Sequence, residues 1–403
     1  MGVGHVRLLV APLLGVALLG GVVAACSTTH DAAPPAHRQP AAAPQAAPVA
    51  PPAAVSFYPS SGAHGVNPAD VVTASVAHGT ITRIALTNPA GKAVAGKLSP
   101  DHTTWTVAEP LGYGKTYTWS GSAAGPDHLP VPITGSFSTV TPKQQLHATM
   151  NIGDGDTVGI AAPVILQFDD HVSDKAAVER ALQVQTSVPT DGSWAWLPDD
   201  NGGSRAHYRP KDYWQPGTKV SVTARLYGVH FGAGSYGRED ITTQFTIGRA
   251  QIVKADVNSH RMIVVRDGQE VMNFPASYGL SSDPNRNTTS GIHVVMNKAQ
   301  TVLMSNRSYG YMNIPEHWAV RISNNGEFIH ANPETTGVQG SSNVTHGCVN
   351  LSTANAHEYY DSAIFGDPVE VTNSPTPLTG ADGDIYDWTV PWADWLALSA
   401  LHS

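Results

Sequence analysis

The sequence predicts a mainly β protein: two tandem immunoglobulin-like β-sandwich modules, then a β-rich domain with one clear helix and a Trp-rich C-terminal extension. Three observations point that way. The 403 residues include 38 Gly and 30 Pro but only 14% charged residues, a balance that favours short strands and tight turns over long surface helices. Short alternating runs separated by turn signals recur in two successive stretches of similar length. Near Ala250 the texture changes to longer alternating runs joined by hairpin signals. The length allows two to four domains. A net charge of −9 with no basic run after the N-terminus argues against a nucleic-acid partner.

Residues 1–26 have the form of an export signal: Arg7, an apolar run from Leu8 to Leu19, and the ending Val23-Ala24-Ala25-Cys26. A membrane-spanning anchor fits less well, because Pro12 and glycines interrupt the run and no charged stop follows. The ending resembles a bacterial lipobox, which implies acylation of Cys26 and a membrane contact through the lipid. Ordinary cleavage nearby is the alternative. Residues 27–54 are mostly Ala and Pro and cannot build a core. As a semi-rigid tether of roughly 3 Å per residue they would span on the order of 80 Å.

Residues 55–142 hold runs such as Val71–Val76, Ile81–Leu86 and Thr116–Trp119, punctuated by Asn88-Pro89-Ala90-Gly91 and Gly112-Tyr113-Gly114. Residues 143–249 repeat the pattern. His64–Val72 corresponds to Thr157–Ile165, Leu111–Tyr117 to Trp214–Val220, and Gly135–Ser138 to Thr243–Thr246. Such repetition predicts two immunoglobulin-like sandwiches. Their histidines and aspartates are scattered through turns, so a spacer is the favoured role, with weak glycan binding by exposed aromatics as the sharper alternative.

Residues 250–373 open with Gln251–Val257, Met262–Arg266 and, after the Asp267-Gly268 turn, Glu270–Phe274. A further strand is expected at Ser290–Met296. Lys298 to His317 is expected to be a long loop, of the kind that forms lids. Ser352 caps a helix whose Ala356, Tyr359, Tyr360 and Ala363 share a face, with Gly366 as its stop. Residues 374–403 carry Trp388, Trp392 and Trp395, too aromatic for a solvated appendage.

The chemistry concentrates at Thr345-His346-Gly347-Cys348-Val349-Asn350. Only Cys26 and Cys348 exist. With the first lipidated the second has no disulfide partner, which in an exported protein points to a thiol in use. A neighbouring imidazole stabilises the thiolate that does the attacking. Gly347 permits close backbone approach, and the N–H groups of Gly347 and Cys348 are candidate donors to an oxyanion. His330 ends Gly326-Glu327-Phe328-Ile329-His330, a strand entering a loop. Residue types alone define a Cys-His acyl-transfer site. A zinc site from His330, His346 and Cys348 is the weaker reading, because paired ligand spacings are missing. No metal or cofactor is expected.

With His330 followed at this spacing by Thr345, His346, Gly347, Cys348 and Asn350, the segment resembles the signature of the L,D-transpeptidases. The order of modules is similar to that of their actinobacterial multidomain members. This resemblance implies that Cys348 attacks the third residue of a peptidoglycan stem tetrapeptide, releases D-alanine, and passes the acyl group to the amine of a second stem as a 3→3 cross-link. It implies His330 as general base and acid held by the Ala331 carbonyl, and His346 as a catalytic residue that lines the donor site and helps the oxyanion pocket. Asn350 would orient the loop or a stem carboxylate, with Tyr309 and Trp318 against substrate. It also implies covalent inhibition by carbapenem β-lactams and a location on the outer membrane face, reaching into the wall. Water as acceptor would make the enzyme a carboxypeptidase. A same-fold enzyme that anchors proteins to peptidoglycan and a non-catalytic wall-binding scaffold are the other readings.

Overall fold

The computed structural model describes residues 50–381 and 385–402; the export signal expected over residues 1–26 and the acylation expected at Cys26 lie outside the described residues. No helix among the described residues is long and apolar enough to cross a membrane.

In the first module, strands Ala54–Tyr58, Thr73–Ala77, Thr104–Val107 and Gly96–Leu98 form one antiparallel sheet in that spatial order. Thr80–Thr87, Thr116–Ala124 and Pro130–Ser138 form the other. Alternation along Thr116–Ala124 turns Tyr117 and Trp119 inward, where Trp119 meets Trp105 edge to face at 5.3 Å. The second module repeats the closing pairing: Lys219–Ala224 runs antiparallel to Ile241–Ile247 as Thr116–Ala124 does to Pro130–Ser138. Side-chain to backbone bonds fasten the two modules, from Asn67 to the Gly228 carbonyl (2.8 Å) and from Tyr113 to that of Gly237 (2.8 Å).

One strand of the second module breaks the rule that a sandwich strand alternates buried and exposed. All of Gly203–Pro210 is buried. Ala206 and Tyr208 belong to the module's core, while Arg205, His207 and Arg209 point the other way and are covered. The cover is the C-terminal extension. Arg209 lies within 4.7–5.2 Å of the ring centres of Trp388, Trp392 and Trp395, and His207 Nδ1 bonds the Asp387 carboxylate at 3.0 Å. The tryptophans therefore pack around one cation of the preceding module, Arg209.

In the third domain, strands β1 (Gln251–Asp256), β2 (Arg261–Arg266), β3 (Gln269–Pro275), β4 (Gly291–Val294), β5 (Asn297–Asn306), β6 (Tyr311–Arg321), β7 (Phe328–Ala331) and β8 (Val349–Leu351) precede helix α1 (Thr353–Ser362) and strand β9 (Pro368–Thr372). One sheet has the order β3-β2-β1-β9-β4, the other β5-β6-β7-β8. A single core joins them: Val253, Val264 and Val369 from the first, Val320, Ile329 and Val349 from the second, and Ala356 and Tyr359 of α1. Ser352 caps α1 by accepting from the Asn355 N–H at 3.3 Å. The helix ends at Ser362, short of Gly366, which instead turns the chain at φ +90° toward β9.

The stretch expected to be a loop from Lys298 to His317 is a β-hairpin, β5 and β6, turned at Arg307–Tyr309. Backbone pairing, which loop-like composition does not reveal, orders this flap. Beyond β9 the chain bonds both domains: Leu378 N–H reaches the Ser290 carbonyl (2.7 Å), and in the second module Trp388 Nε1–H reaches that of Ala161 (2.9 Å). The last helix, α2 (Trp392–Ala397), packs on Gly192–Asp200.

Candidate active site

The loop before β8 is tied down on several sides. Asn343 accepts from the Tyr278 N–H at 3.1 Å and donates to the Val257 carbonyl at 2.9 Å. Thr345 bonds the Cys348 carbonyl through its hydroxyl (2.6 Å), and Thr288 bonds that of Gly347 (2.8 Å). Gly347 sits at φ +112°, where any side chain would be strained. Its N–H points to the Thr345 hydroxyl at 3.3 Å. The expected oxyanion donor at Gly347 is thus already engaged within the loop. Cys348 is a free, half-buried thiol, with Sγ 3.7 Å from the Gly326 carbonyl.

Parallel pairing of β7 with β8 sets His330 beside Asn350. His330 is only 3% exposed. Its Nδ1 lies 2.9 Å from the Ala331 carbonyl and 3.0 Å from Glu316 Oε2. Burial on its own would lower the imidazole's pKa, but hydrogen bonds and charge from Cys348 and Glu316 outweigh it and push the value up to about 10. Asn350 is buried and its Oδ1 meets no protein donor among the described residues.

A cavity of about 260 Å³ opens between the flap and this loop, with Cys348, His330, Glu316, Asn350, His346 and Tyr311 in its wall. Met304 and Ile314 add apolar surface from the flap. A larger depression, about 460 Å³, lies along Lys219–Ser221 of the second module but contains neither His nor Cys. The thiol-bearing cavity is where chemistry is available. His346 is exposed, with the rings of Tyr309 and Tyr311 centred 4.5 and 5.5 Å from its own. Partial burial and then the Arg286 charge lower its pKa. Among the described residues no group of three or more His, Cys, Asp or Glu is placed to hold a metal.

Of the candidates named from sequence, Cys348, His330, His346 and Asn350 meet at the cavity, and the Ala331 carbonyl holds the imidazole. Tyr309 stands behind His346, bonded to Asp283 at 3.4 Å and outside the cavity wall, whereas Tyr311 is in the wall. Trp318 does not reach the cavity. Its ring stacks on His357 of α1 at 3.8 Å and meets Tyr360 edge-on. Sequence reasoning missed Glu316, since nothing local in Pro315-Glu316-His317 tells which of the two polar residues faces His330.

A family profile described as an L,D-transpeptidase catalytic domain matches residues 250–371, and one described as a bacterial Ig domain matches residues 63–230. L,D-transpeptidase 5 of Mycobacterium tuberculosis (strain ATCC 25618 / H37Rv) is 56% identical over 348 residues, covering 86% of this chain and 77% of that protein. L,D-transpeptidase 2 of Mycobacterium tuberculosis (strain CDC 1551 / Oshkosh) is 36% identical over 349 residues, covering 85% and 83%. Among solved structures, an L,D-transpeptidase in complex with imipenem matches at 33% identity and a TM-score of 0.48, covering 57% of this chain and all of that one.

Proposed function

The chain belongs to the L,D-transpeptidases, which cross-link peptidoglycan stem peptides, and on that premise we propose how its residues divide the work. Cys348 is the nucleophile and His330 the group that carries protons. The observation behind this assignment is a buried imidazole whose Nδ1 is anchored by the Ala331 carbonyl and which interacts with the Cys348 thiol.

His330 already holds the thiol's proton as an imidazolium and faces the Cys348 thiolate as Sγ attacks the carbonyl of the third stem residue. The oxyanion of the tetrahedral intermediate is met by the N–H of Cys348, Gly347 being engaged with Thr345. When the intermediate collapses, the carbon–nitrogen bond breaks and the D-alanine amine leaves with the proton from His330. A thioester remains. The amine of a second stem attacks it, His330 removes the amine proton, and the thiol is restored as the 3→3 amide forms. Asn350 offers its unpaired Oδ1 to a donor N–H of the stem. His346 and Tyr311 hold the stem beneath the flap, and Tyr309 backs His346.

A carbapenem presents a strained lactam carbonyl to the same thiol and leaves a covalent adduct on Cys348. Acylation at Cys26, with residues 27–54 as tether, places the folded part on the outer membrane face within reach of the wall. The two modules act as a spacer.

Incubating the full chain with a disaccharide-tetrapeptide tests the assignment. A 3→3 dimer and free D-alanine form with the wild type and not with Cys348→Ala or His330→Ala. Dimer formation by the Cys348→Ala variant would refute it.

A further inference from the structure

The antiparallel pairing of β6 with β7 contains one extra residue. His317 pairs with Ala331 and Val320 with Ile329, so Trp318 and Ala319 together stand opposite His330. This is a β-bulge, and Trp318 within it has φ +51°, the left-handed region that a bulky side chain rarely occupies. Strand parity gives the bulge a consequence. Counting back from Val320 in unbroken alternation would put His317 on the face of His330 and Glu316 on the opposite face, toward α1. The extra residue exchanges them. His317 turns outward to Thr301 (3.0 Å), Trp318 stacks on α1, and Glu316 Oε2 arrives 3.0 Å from His330 Nδ1.

We propose that Glu316 is a positioning residue of the active site, a carboxylate supplied by the flap that orients His330 and balances its charge while Cys348 is a thiolate. The inference rests on the assignment of Cys348 and His330 given above and adds a third member to it. The Ala331 carbonyl alone fixes the ring's orientation but brings no full charge. Glu316 brings one. Its side chain is 17% exposed, so the interaction is only partly screened by solvent.

The other titratable and charged groups here do not replace it. Cys348 and His346 face the site from the nucleophile loop, Glu334 from the turn after β7, and Tyr311 from the flap. Arg286 acts on Tyr311 and His346 from the rim. Among the described residues no Lys or Arg lines the cavity, so Glu316 has no cationic partner there other than His330. Because Glu316 rides on the flap, any displacement of β6 from β7 withdraws the carboxylate from the imidazole.

Glu316→Gln keeps shape and an acceptor oxygen but removes the charge. In single-turnover acylation of the full chain, followed by mass spectrometry across pH, the rate for this variant should fall about tenfold or more. The apparent affinity for the donor should stay near wild type. The alkaline limb of the pH–rate profile, where His330 loses its proton, should move to lower pH. Ring-nitrogen NMR should find His330 neutral at a pH where the wild type is still imidazolium. Glu316→Asp, which keeps the charge but withdraws it by one methylene, should recover part of the rate and of the limb. A Gln variant with the wild-type rate, or a slower one with limb and ring signals unmoved, overturns the proposal. If the Gln variant does not accumulate, Glu316→Asp decides, and a wild-type rate and limb there overturn it. Cys348→Ala is run alongside, and an acyl adduct on that variant would locate the failure in the thiol assignment instead.

Discussion

The Arg209 guanidinium lies 4.7 Å from the centre of the Trp395 ring, so a cation of the second module serves as the seat for the end of the chain. Trp395 is fully buried, packs with Ala195 and Leu197, and donates its indole N–H to the Ser193 carbonyl at 3.0 Å. Trp395→Ala should therefore cost about 3–5 kcal/mol of stability, measured by denaturant unfolding. Acylation chemistry at Cys348 should persist at temperatures where the variant stays folded.

The raised pKa of His330 makes a prediction for stability. Its folded value, about 10, lies above the ordinary 6.5. The folded state therefore holds the proton more tightly than the unfolded chain, and the stability this contributes is complete below pH 6.5 and lost as pH rises through about 10. Thermal melting should show a falling stability across that window. Glu316→Gln or Cys348→Ala, each removing an interaction that favours the imidazolium, should flatten the slope.

Tyr311 and Tyr309 both touch His346, but only Tyr311 is in the cavity wall. Tyr311→Ala should raise the apparent KM for the donor by about 2- to 10-fold, the worth of one aromatic contact. Tyr309→Ala should have a smaller effect, acting only through the orientation of His346. Steady-state kinetics of D-alanine release separates the two, and a larger effect at Tyr309 would contradict this placement.

The nucleophile and its histidine were legible because Thr345-His346-Gly347-Cys348-Val349-Asn350 and His330 form a spaced pattern that survives without knowing the fold. The tandem sandwiches were legible for a similar reason: the turn residues before Tyr117 and Val220 recur at matching places, and the strands they introduce pair alike. The flap was not. Lys298 to His317 lacks clean apolar alternation and a two-residue hairpin signal, so its strands are set by pairing with each other and with β7. The bulge is less visible still. One extra residue exchanges the facing of Glu316 and His317 while Trp318 stays on the side of α1, so local alternation does not bring Glu316 to the site.

Burial of a strand on both faces was likewise hidden in Gly203–Pro210, where Arg205, His207 and Arg209 have the alternation of a solvated edge. Their partners arrive about 180 residues later, as in the contact of His207 with Asp387, a separation no local pattern spans.

The most direct test is intact-protein mass spectrometry of the full chain mixed with a stem-tetrapeptide donor and no acceptor, with Cys348→Ala in parallel. The wild type should gain the mass of the donor less D-alanine, with the adduct on the peptide that contains Cys348, and the variant should gain nothing. Unchanged wild-type mass with D-alanine still bound to the donor, or an adduct on another residue, would contradict the assignment of Cys348 as the nucleophile.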